Sequence, residues 1–401
     1  MSVTAARTRR FSAVLRNEER VTPLELFFDL VFVLALTQCT ALMAAVPTWQ
    51  GLAQAILIMG VLWWSWSGYA WLTSVVNPEE GWVRLAMFAA MAAFLVCALC
   101  IPDAFADNAL LFAGAYGVVR LAHIALFTLA SRDDPALRRS VVSLAISTAI
   151  SVGLLGAAAA TDDVLQGAIW SFALLLDMTG PYFFGVEGWK LMPEHFAERF
   201  GLIIIIALGE SIVAIGVGAE VGIDVGVVAA AVLATAGAAA LWWLYFDVVA
   251  IVAARRLARA APGRERNEIG RDSYGYLHFP MIAGIVLGAM GLKKTLGHVD
   301  DPLTLVPAVA LFGGAALYLL AHVAFRWRNL ATLNRQRLIC ALLLAALIPL
   351  ARELPALASL AILVGILSAL IAYEAIHFAE ARDRIRHQLA RDQVQPLKRE
   401  G

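Results

Sequence analysis

The chain has 401 residues, of which 61% are hydrophobic and only 15% are charged, and its formal net charge at pH 7 is zero. Soluble domains carry about a quarter charged residues, and nucleic-acid-binding domains present a basic surface, so the composition argues against both classes. Apolar runs of about 18 or more residues recur along the whole sequence, which predicts an all-α, polytopic integral membrane protein in contact with the lipid bilayer.

The apolar runs divide into twelve predicted membrane-spanning helices, each close to the ~20 residues that a helix needs to cross a bilayer. The eleventh is short and is interrupted by Pro349. The predicted helices cover residues 23–46, 50–75, 84–106, 109–130, 140–160, 164–186, 200–219, 225–253, 276–296, 303–325, 337–353 and 356–378.

Basic residues support this count, because cytoplasmic loops of membrane proteins are enriched in lysine and arginine. With the N-terminus in the cytoplasm, nearly all basic residues fall in inner loops or in the two tails. The outer loops then hold only Lys293, Lys294 and Arg352. A miscount of one helix would reverse the bias beyond it, so both termini are predicted to be cytoplasmic.

Two short similarities between the halves predict an internal repeat. Leu62-Trp63-Trp64 matches Leu241-Trp242-Trp243, and Leu121-Ala122-His123 matches Leu320-Ala321-His322, in the same order and six helices apart. An even number of helices per repeat makes the repeats parallel, as in transporters built from two six-helix halves. The predicted organisation is an N-terminal tail (1–22), a first half (23–186), a linker (187–199), a second half (200–378) and a C-terminal tail (379–401).

Two acids lie in the first two turns of the first helix. Thr22-Pro23-Leu24-Glu25 fits a capping box, with Glu25 reaching back to a free amide, and this explains Glu25 without excluding a functional role. Asp29 lies one turn further on the same face and has no such explanation. A carboxylate in hydrocarbon costs roughly 2.5–3.5 kcal/mol on insertion scales. We therefore expect Asp29 to face protein or a water-filled cavity.

The seventh predicted helix carries the deepest acid, Glu210, twelve residues from Glu198 at its inner end. At 1.5 Å per residue this is about 18 Å, close to the bilayer midplane. Packing alone does not explain an acid at that depth, so Glu210 is the first candidate for an ion-binding residue. Its neighbour Ser211 is included in the candidate site.

Arg120 lies in the middle of the fourth predicted helix and needs a carboxylate partner. Glu210 and Asp29 are the preferred partners, and Asp177 is the third. Such a pair would control proton binding or hold an anionic substrate, but a fixed structural pair explains Arg120 equally well. His123 is close to the same face and is a further candidate, although a lone histidine in a membrane is more often a helix contact.

Two more acids lie towards the inner ends of their helices. Asp177 precedes Thr179-Gly180-Pro181, a predicted kink whose free carbonyls could bind a cation. Asp247 follows the aromatic stretch 242–246, whose rings either line a path or face lipid. Both are candidate binding residues.

No cofactor or metal is predicted. Cys97 and Cys100 have redox or metal spacing but lack a second pair or nearby histidines. The segment 194–199, with Glu194, His195 and Arg199, is interpreted as an interfacial ion-pair network rather than as a metal site.

Three motifs resemble the bacterial low-temperature-requirement A (LtrA) family. They are Thr22–Val33, the segments Glu198–Leu202 with Leu208–Ser211, and Tyr276–Pro280. Phe200 departs from the family, where histidine is expected, so a role for that ring would be absent here. The resemblance implies a multi-pass protein of the bacterial cell (inner) membrane, linked by name to growth in the cold, and implies no established activity.

The favoured function is a proton- or cation-coupled secondary transporter of an unknown small solute, with Asp29, Glu210 and Arg120 in a central site. Two alternatives stay open: an ion channel or leak pathway, and a membrane-embedded enzyme acting on lipid. The protein is not predicted to be an enzyme. A homo-oligomer is compatible with the sequence.

Overall fold

The computed structural model describes residues 20–79, 81–183, 188–219 and 223–380. Over these ranges the chain is all-α, with an isolated β-bridge between Pro302 and Pro355. The predicted tails lie almost wholly outside the described residues. The helices are α1 (Pro23–Ala45), α2 (Trp49–Thr73), α3 (Gly81–Cys100), α4 (Ala109–Ala130), α5 (Pro135–Ala158), α6 (Asp163–Phe183), α7 (Pro193–Gly218), α8 (Val225–Phe246), α9 (Val249–Arg259), α10 (Arg264–Ile269), α11 (His278–Gly297), α12 (Leu305–Ala308), α13 (Gly314–Leu330), α14 (Arg335–Ala346), α15 (Ile348–Ala351) and α16 (Ala356–His377).

Ten helical segments in the described part of the chain are long and apolar enough to cross a membrane. Short π-helical turns at Gly270–Tyr276 and Val309–Gly313 join α10 to α11 and α12 to α13. The two other predicted crossings, α6 and the pair α14–α15, are not among the ten. Buried Asp177 makes α6 more polar, and α14–α15 is broken before Pro349. The chain is therefore a multi-pass membrane protein.

The start of α1 follows the capping prediction. The Thr22 hydroxyl accepts a hydrogen bond from the Glu25 amide, the Glu25 carboxylate accepts one from the Thr22 amide, and Pro23 opens the helix. The predicted start of the seventh helix at residue 200 is wrong, because α7 already begins at Pro193. Its first two turns are buried against protein, and they were mistaken for an interfacial linker because they are polar.

The predicted eighth helix, 225–253, is two helices in the structure. The apolar helix α8 ends at Phe246, and α9 follows after Asp247 and Val248. In α9, Ala253 and Leu257 are buried, while Arg256 and Arg259 lie in its last turn. This amphipathic pattern places α9 along the protein surface, packed on α7 and α8.

Helices α1 and α7 form the central contact of the fold, which we call the seam. α1 packs on α2, α3, α7 and α11, and α7 packs on α1, α8 and α11. The two helices run parallel, because their contacts ascend together along both: Glu25 with His195, Asp29 with Arg199, and Thr37 with Glu210.

Candidate functional site

Glu25 is both the cap of α1 and part of an ion network across the seam. Its Oε2 accepts from the Thr22 amide at 2.8 Å and from the Thr22 hydroxyl at 3.0 Å. Its Oε1 accepts from His195 Nε2 at 2.8 Å and from Arg199 Nη1 at 3.0 Å. One oxygen of Glu25, Oε2, therefore caps α1, while the other, Oε1, belongs to the ion network. The two explanations that the sequence left open are compatible.

Asp29 faces the protein interior and meets the same arginine. Its Oδ1 accepts from Arg199 Nη2 at 2.7 Å and from the Trp66 indole at 2.8 Å. Arg199 Nη1 also donates to the Thr73 hydroxyl at 3.1 Å, and its guanidinium lies 5.6 Å from the centre of the Trp66 ring. Asp29 Oδ2 has no hydrogen-bond partner among the described residues. One carboxylate oxygen is thus fully engaged and the other is available to hold a proton.

The tautomer of His195 follows from its neighbours. A carboxylate only accepts, so Nε2 carries the proton that is shared with Glu25. Nδ1 lies 3.2 Å from the Ser74 hydroxyl, which accepts from the Met192 amide at 3.4 Å. The imidazole is therefore held on both sides, and either charge state keeps the contact with Glu25.

The seam network has an uneven charge count. The side chains of Glu25, Asp29, His195 and Arg199 all have 0% exposure. Two carboxylates and one guanidinium sum to a charge of −1 when the imidazole is neutral, and binding one proton brings the sum to zero. Because an uncompensated buried charge is costly, the network is suited to binding and releasing a single proton.

Glu210 lies further along the seam, away from this network. Its Oε2 accepts from the Thr37 hydroxyl of α1 at 2.5 Å, and its residue is 2% exposed. Ser211 is also buried but lines a separate small apolar cavity together with residues of α8, α11 and α16. Glu210 and Ser211 therefore do not form one site.

The preferred partners predicted for Arg120 were wrong. Arg120 Nη2 lies 3.0 Å from Asp177 Oδ2 and donates to the Thr148 hydroxyl at 2.6 Å. The third candidate, Asp177, is thus the partner, since α4 packs on α5, which in turn packs on α6, whereas Asp29 and Glu210 lie on the seam. The predicted central site of Asp29, Glu210 and Arg120 is in fact three separate places.

A cavity next to Arg120 is lined by serines, and we call it the serine cavity. Its volume, including the part that is open to solvent, is about 750 Å³. His123 also lines it, so Arg120 and His123 come together as predicted residues of one region. The lining residues are Trp64, Ser67, Gly68, Trp71, Arg120, His123, Phe127, Ser140, Ser143, Leu144, Ser147, Gly180, Pro181, Trp189, Arg271 and Gly275.

A second cavity lies in the other half of the chain, and we call it the charged cavity. Its lining includes Asp247, His322, Arg337 and Glu374, and its free space out to the mouth is about 1060 Å³. Arg337 donates to Glu374 Oε1 at 2.9 Å and to Glu374 Oε2 at 2.8 Å. Asp247 is the C-cap of α8 and lines this cavity.

Sequence reasoning missed the partners on α7 and the Arg337–Glu374 pair. His195 and Arg199 were assigned to an interfacial network, whereas both are buried against α1. The matching starts of α1 and α7 are a sequence signal that predicts these partners. Proline opens both α1 and α7, and counting from it places Glu25 opposite His195 and Asp29 opposite Arg199, 170 residues apart in each pair.

Phe200 occupies the position where the family resemblance predicts a histidine, and it lies next to the ion network of the seam. Its ring packs edge-on against Trp63 and Trp66 at centroid distances of 5.8 and 5.1 Å, and against Tyr274 and His278 at 5.4 and 5.2 Å. The network is thus closed on this side by aromatic rings. Among the described residues, no group of three or more His, Cys, Asp or Glu side chains is arranged to hold a metal ion.

Fold and site together define an all-α, multi-pass membrane protein with an ion network buried between parallel helices. Residues 20–372 match the family of the bacterial low temperature requirement A protein (LtrA), and the chain belongs to this family. It is 31% identical over 314 residues to an uncharacterized protein of Rhizobium meliloti (strain 1021), covering 74% of each chain. No solved structure matches.

Proposed function

We propose that this protein is a proton-coupled secondary transporter of the bacterial cell membrane. The observation that carries the proposal is the seam, where Glu25 and Asp29 of α1 and His195 and Arg199 of α7 are fully buried. Ionisable groups inside membrane proteins are expensive and typically mark ion or proton pathways. In transporters built from two repeats, coupling-ion sites lie at the interface between the repeats.

Twelve crossings are part of the proposal. Because α1 and α7 run parallel and side by side, the six helices α1–α6 form an even number of crossings, which supports counting α6. The amides of Ala356 and Leu357 donate to the carbonyls of Asp301 and Val299, at 2.9 and 3.0 Å. The start of α16 therefore lies beside the end of α11, which supports counting α14–α15 as the return crossing. Both termini are then cytoplasmic, by the distribution of basic residues.

Two parallel six-helix repeats are also part of the proposal. Packing of α1 on α2 and α3, and of α3 on α4, recurs as packing of α7 on α8 and α11, and of α11 on α13. The matching residues Trp64 and Trp243 line the serine cavity and the charged cavity, and so do His123 and His322. Equivalent residues thus occur at equivalent cavities, which supports the repeat.

The proton acts on the seam through Arg199. When Asp29 is ionised, Arg199 bridges it to Glu25 and holds α7 against α1. Protonation of Asp29 at its free Oδ2 removes one of the two negative charges that attract Arg199 and leaves the contacts with Glu25, so it weakens the attachment of α7 to α1. Glu210 lies eleven residues beyond Arg199 on α7, about 16 Å further along the seam at 1.5 Å per residue. It supplies a second acid on the way to the other membrane face.

The test uses the purified protein in liposomes that contain a pH-sensitive dye, with a screen of small solutes to identify one that moves protons. Asp29→Asn and Glu210→Gln should abolish solute-dependent proton flux while leaving folding and membrane insertion intact. Asp107→Asn, an exposed acid before α4, is the matched control and should transport normally.

Two outcomes would reject the proposal. Normal coupled transport by Asp29→Asn and Glu210→Gln would remove the seam acids from the mechanism. Single-channel currents without saturation, in place of solute-dependent proton flux, would favour the channel.

A further inference from the structure

We infer that the serine cavity is a binding site for a small organic anion with an apolar, ring-sized body, such as an aromatic carboxylate. Binding is claimed on the cavity's own chemistry. That this anion is the transported solute rests on the proposed function above.

Serine hydroxyl groups line the cavity. Ser140, Ser143 and Ser147 of α5 are spaced by three and four residues, so they share one face of the helix. The Ser147 hydroxyl donates to the Leu144 carbonyl at 3.1 Å, and Ser67 of α2 also lines the cavity. Hydroxyls such as those of Ser143 and Ser67 can donate to carboxylate oxygens at no charge cost, so this lining is suited to an anion.

The charges around the cavity favour an anion over a cation. No Asp or Glu in the described part of the chain lines it, whereas Arg120 lies at its inner end and Arg271 at its mouth. Asp272 pairs with Arg271 at 2.7 Å and with Arg328 at 2.8 Å, so one carboxylate serves two guanidinium groups. A positive charge is therefore left at the mouth.

His123 supplies a buried polar group inside the cavity. The residue is 2% exposed, and neither ring nitrogen makes a hydrogen bond of ordinary geometry with the described residues. The backbone of Gly68 lies beside the ring and can satisfy at most one of the two nitrogens. At least one ring nitrogen is therefore without a partner in the described part of the chain. Because buried polar groups are nearly always hydrogen-bonded, such a nitrogen beside a cavity indicates a ligand with a polar end.

Aromatic rings form the remaining wall. Trp64, Trp71, Phe127 and Trp189 all line the cavity. A small inorganic anion would leave these rings in contact with water, whereas an apolar ligand body would bury against them. The combination of serine hydroxyls, an unpartnered imidazole nitrogen and rings therefore selects an amphipathic organic anion.

Binding is tested with radiolabelled benzoate by equilibrium dialysis, using the full chain in phosphatidylcholine nanodiscs. Three probes separate the contributions: benzoate, its neutral analogue benzamide, and acetate, which has the charge without the ring. We expect saturable benzoate binding and at least tenfold weaker binding of the other two. Equal binding of benzamide would overturn the anion assignment, and equal binding of acetate would overturn the role of the rings.

Variants locate the site. Arg271→Gln and Ser143→Leu should each lower benzoate affinity at least tenfold, the first by removing the charge at the mouth and the second by filling the cavity. Arg326→Gln, an exposed arginine at the charged cavity, is the matched control and should bind benzoate normally. Unchanged binding by Ser143→Leu in a folded protein would place benzoate elsewhere and overturn the inference.

A lipid headgroup is the other source of an anionic group with an apolar body. Adding anionic phosphatidylglycerol to the nanodiscs should leave benzoate affinity unchanged within about twofold. A loss of more than tenfold would show that lipid occupies the cavity and would overturn the soluble ligand.

The binding result and the transport result can fail separately. Benzenesulfonate, whose permanent charge prevents passive leakage, serves as the transport probe in liposomes. Benzoate binding without any coupled flux would keep this site and reject the proposed function. Coupled flux of a different solute without benzoate binding would keep the function and reject this site.

Discussion

The serine cavity and the charged cavity contain the same tryptophan and histidine of the repeated sequence but treat the histidine differently. His322 Nδ1 lies 2.5 Å from Arg337 Nη1. Arginine only donates, so Nδ1 accepts and Nε2 carries the proton of the neutral ring. His123 has no such partner. His322 Nε2 has no hydrogen-bond partner among the described residues. The same position thus makes a structural contact through one ring nitrogen in the second half, whereas in the first half neither nitrogen makes a hydrogen bond of ordinary geometry with the described residues.

The difference lies in what each arginine holds together. Arg337 joins three helices, because it donates to the Leu244 carbonyl of α8, to His322 of α13 and to Glu374 of α16. Arg120 joins α4 to α5 and α6 through Thr148 and Asp177 and does not reach His123. The contacts of Arg337 therefore hold the helices of the second half together at the charged cavity. The contacts of Arg120 do not involve His123, which stays available to a ligand in the serine cavity.

The largest expected effect comes from removing the contacts that Arg337 makes at the charged cavity. Arg337→Met leaves the partly buried Glu374 carboxylate with Asn334 as its hydrogen-bond donor but without the counter-charge of Arg337. It also leaves the Leu244 carbonyl without the Arg337 donor. Removing one partner of a buried ion pair costs about 3–5 kcal/mol. We expect a loss of that size in the free energy of unfolding, measured by denaturant titration in detergent micelles.

Arg335→Met is the control for this prediction, because Arg335 lies on the same helix and is exposed. Adding Glu374→Gln to Arg337→Met should recover part of the loss, since the unpaired charge is then gone. A loss below about 1 kcal/mol in Arg337→Met would show that the pair behaves as an exposed one.

A matched pair of histidine substitutions measures the comparison directly. His322→Gln perturbs the contact with Arg337 and should cost about 1.5–3 kcal/mol of unfolding free energy, as expected for a hydrogen bond to a charged group. His123→Gln loses ring contacts with Tyr69 and Phe127 but no hydrogen bond to a charged group, so it should cost less than His322→Gln while weakening benzoate binding. Equal stability losses at the two positions would contradict the distinction between the cavities.

The smallest expected effect concerns the caps of α5 and α14, which begin at matching places in the two halves. Asp134 caps α5 by accepting from the amides of Ala136 and Leu137, and it lies 3.0 Å from Lys190. These contacts hold the pKa of Asp134 below its ordinary value of 3.8. The hydrogen bond from the Leu137 amide contributes most, and Lys190 contributes next. Asn334 caps α14 and does not titrate.

Because the folded-state pKa of Asp134 is lowered, its stabilising contribution is complete above the unfolded-state value near 3.8. It is lost as the pH falls through the lower folded-state value. The protection factors of the amides in the first turn of α5, corrected for the intrinsic pH dependence of exchange, should therefore fall below about pH 4. The Asn334 cap of α14 contributes no such change. Asp134→Asn should abolish this pH dependence, and its persistence in that variant would assign the effect to another acid.

Local sequence patterns predicted the helices well because their causes are local. The capping box at Thr22 and Glu25 needs only neighbouring residues, and the structure has it as predicted. The wrong predictions came where the local polarity of a segment suggested the wrong location. The polar start of α7 looked interfacial, although His195 and Arg199 have buried partners on α1 that are about 170 residues away.

The candidate site was predictable residue by residue but not as an arrangement. Asp29, Arg120 and Asp177 were identified because a charge in an apolar helix needs a partner. The sequence could not choose among the partners for Arg120, since Glu210, Asp29 and Asp177 are equally acceptable to a guanidinium. Only the packing of α4, α5 and α6 brings Asp177 within 3.0 Å.

The class of protein, the family and the positions of most membrane helices follow from the amino-acid sequence, because apolar length, capping and the distribution of arginines are properties of the chain. Which charges meet depends on how the helices pack. Helical periodicity defines the face of each helix but not the helix it packs against, so the seam of Glu25, Asp29, His195 and Arg199, and the separate pair of Arg120 and Asp177, emerged only when the helices were packed together.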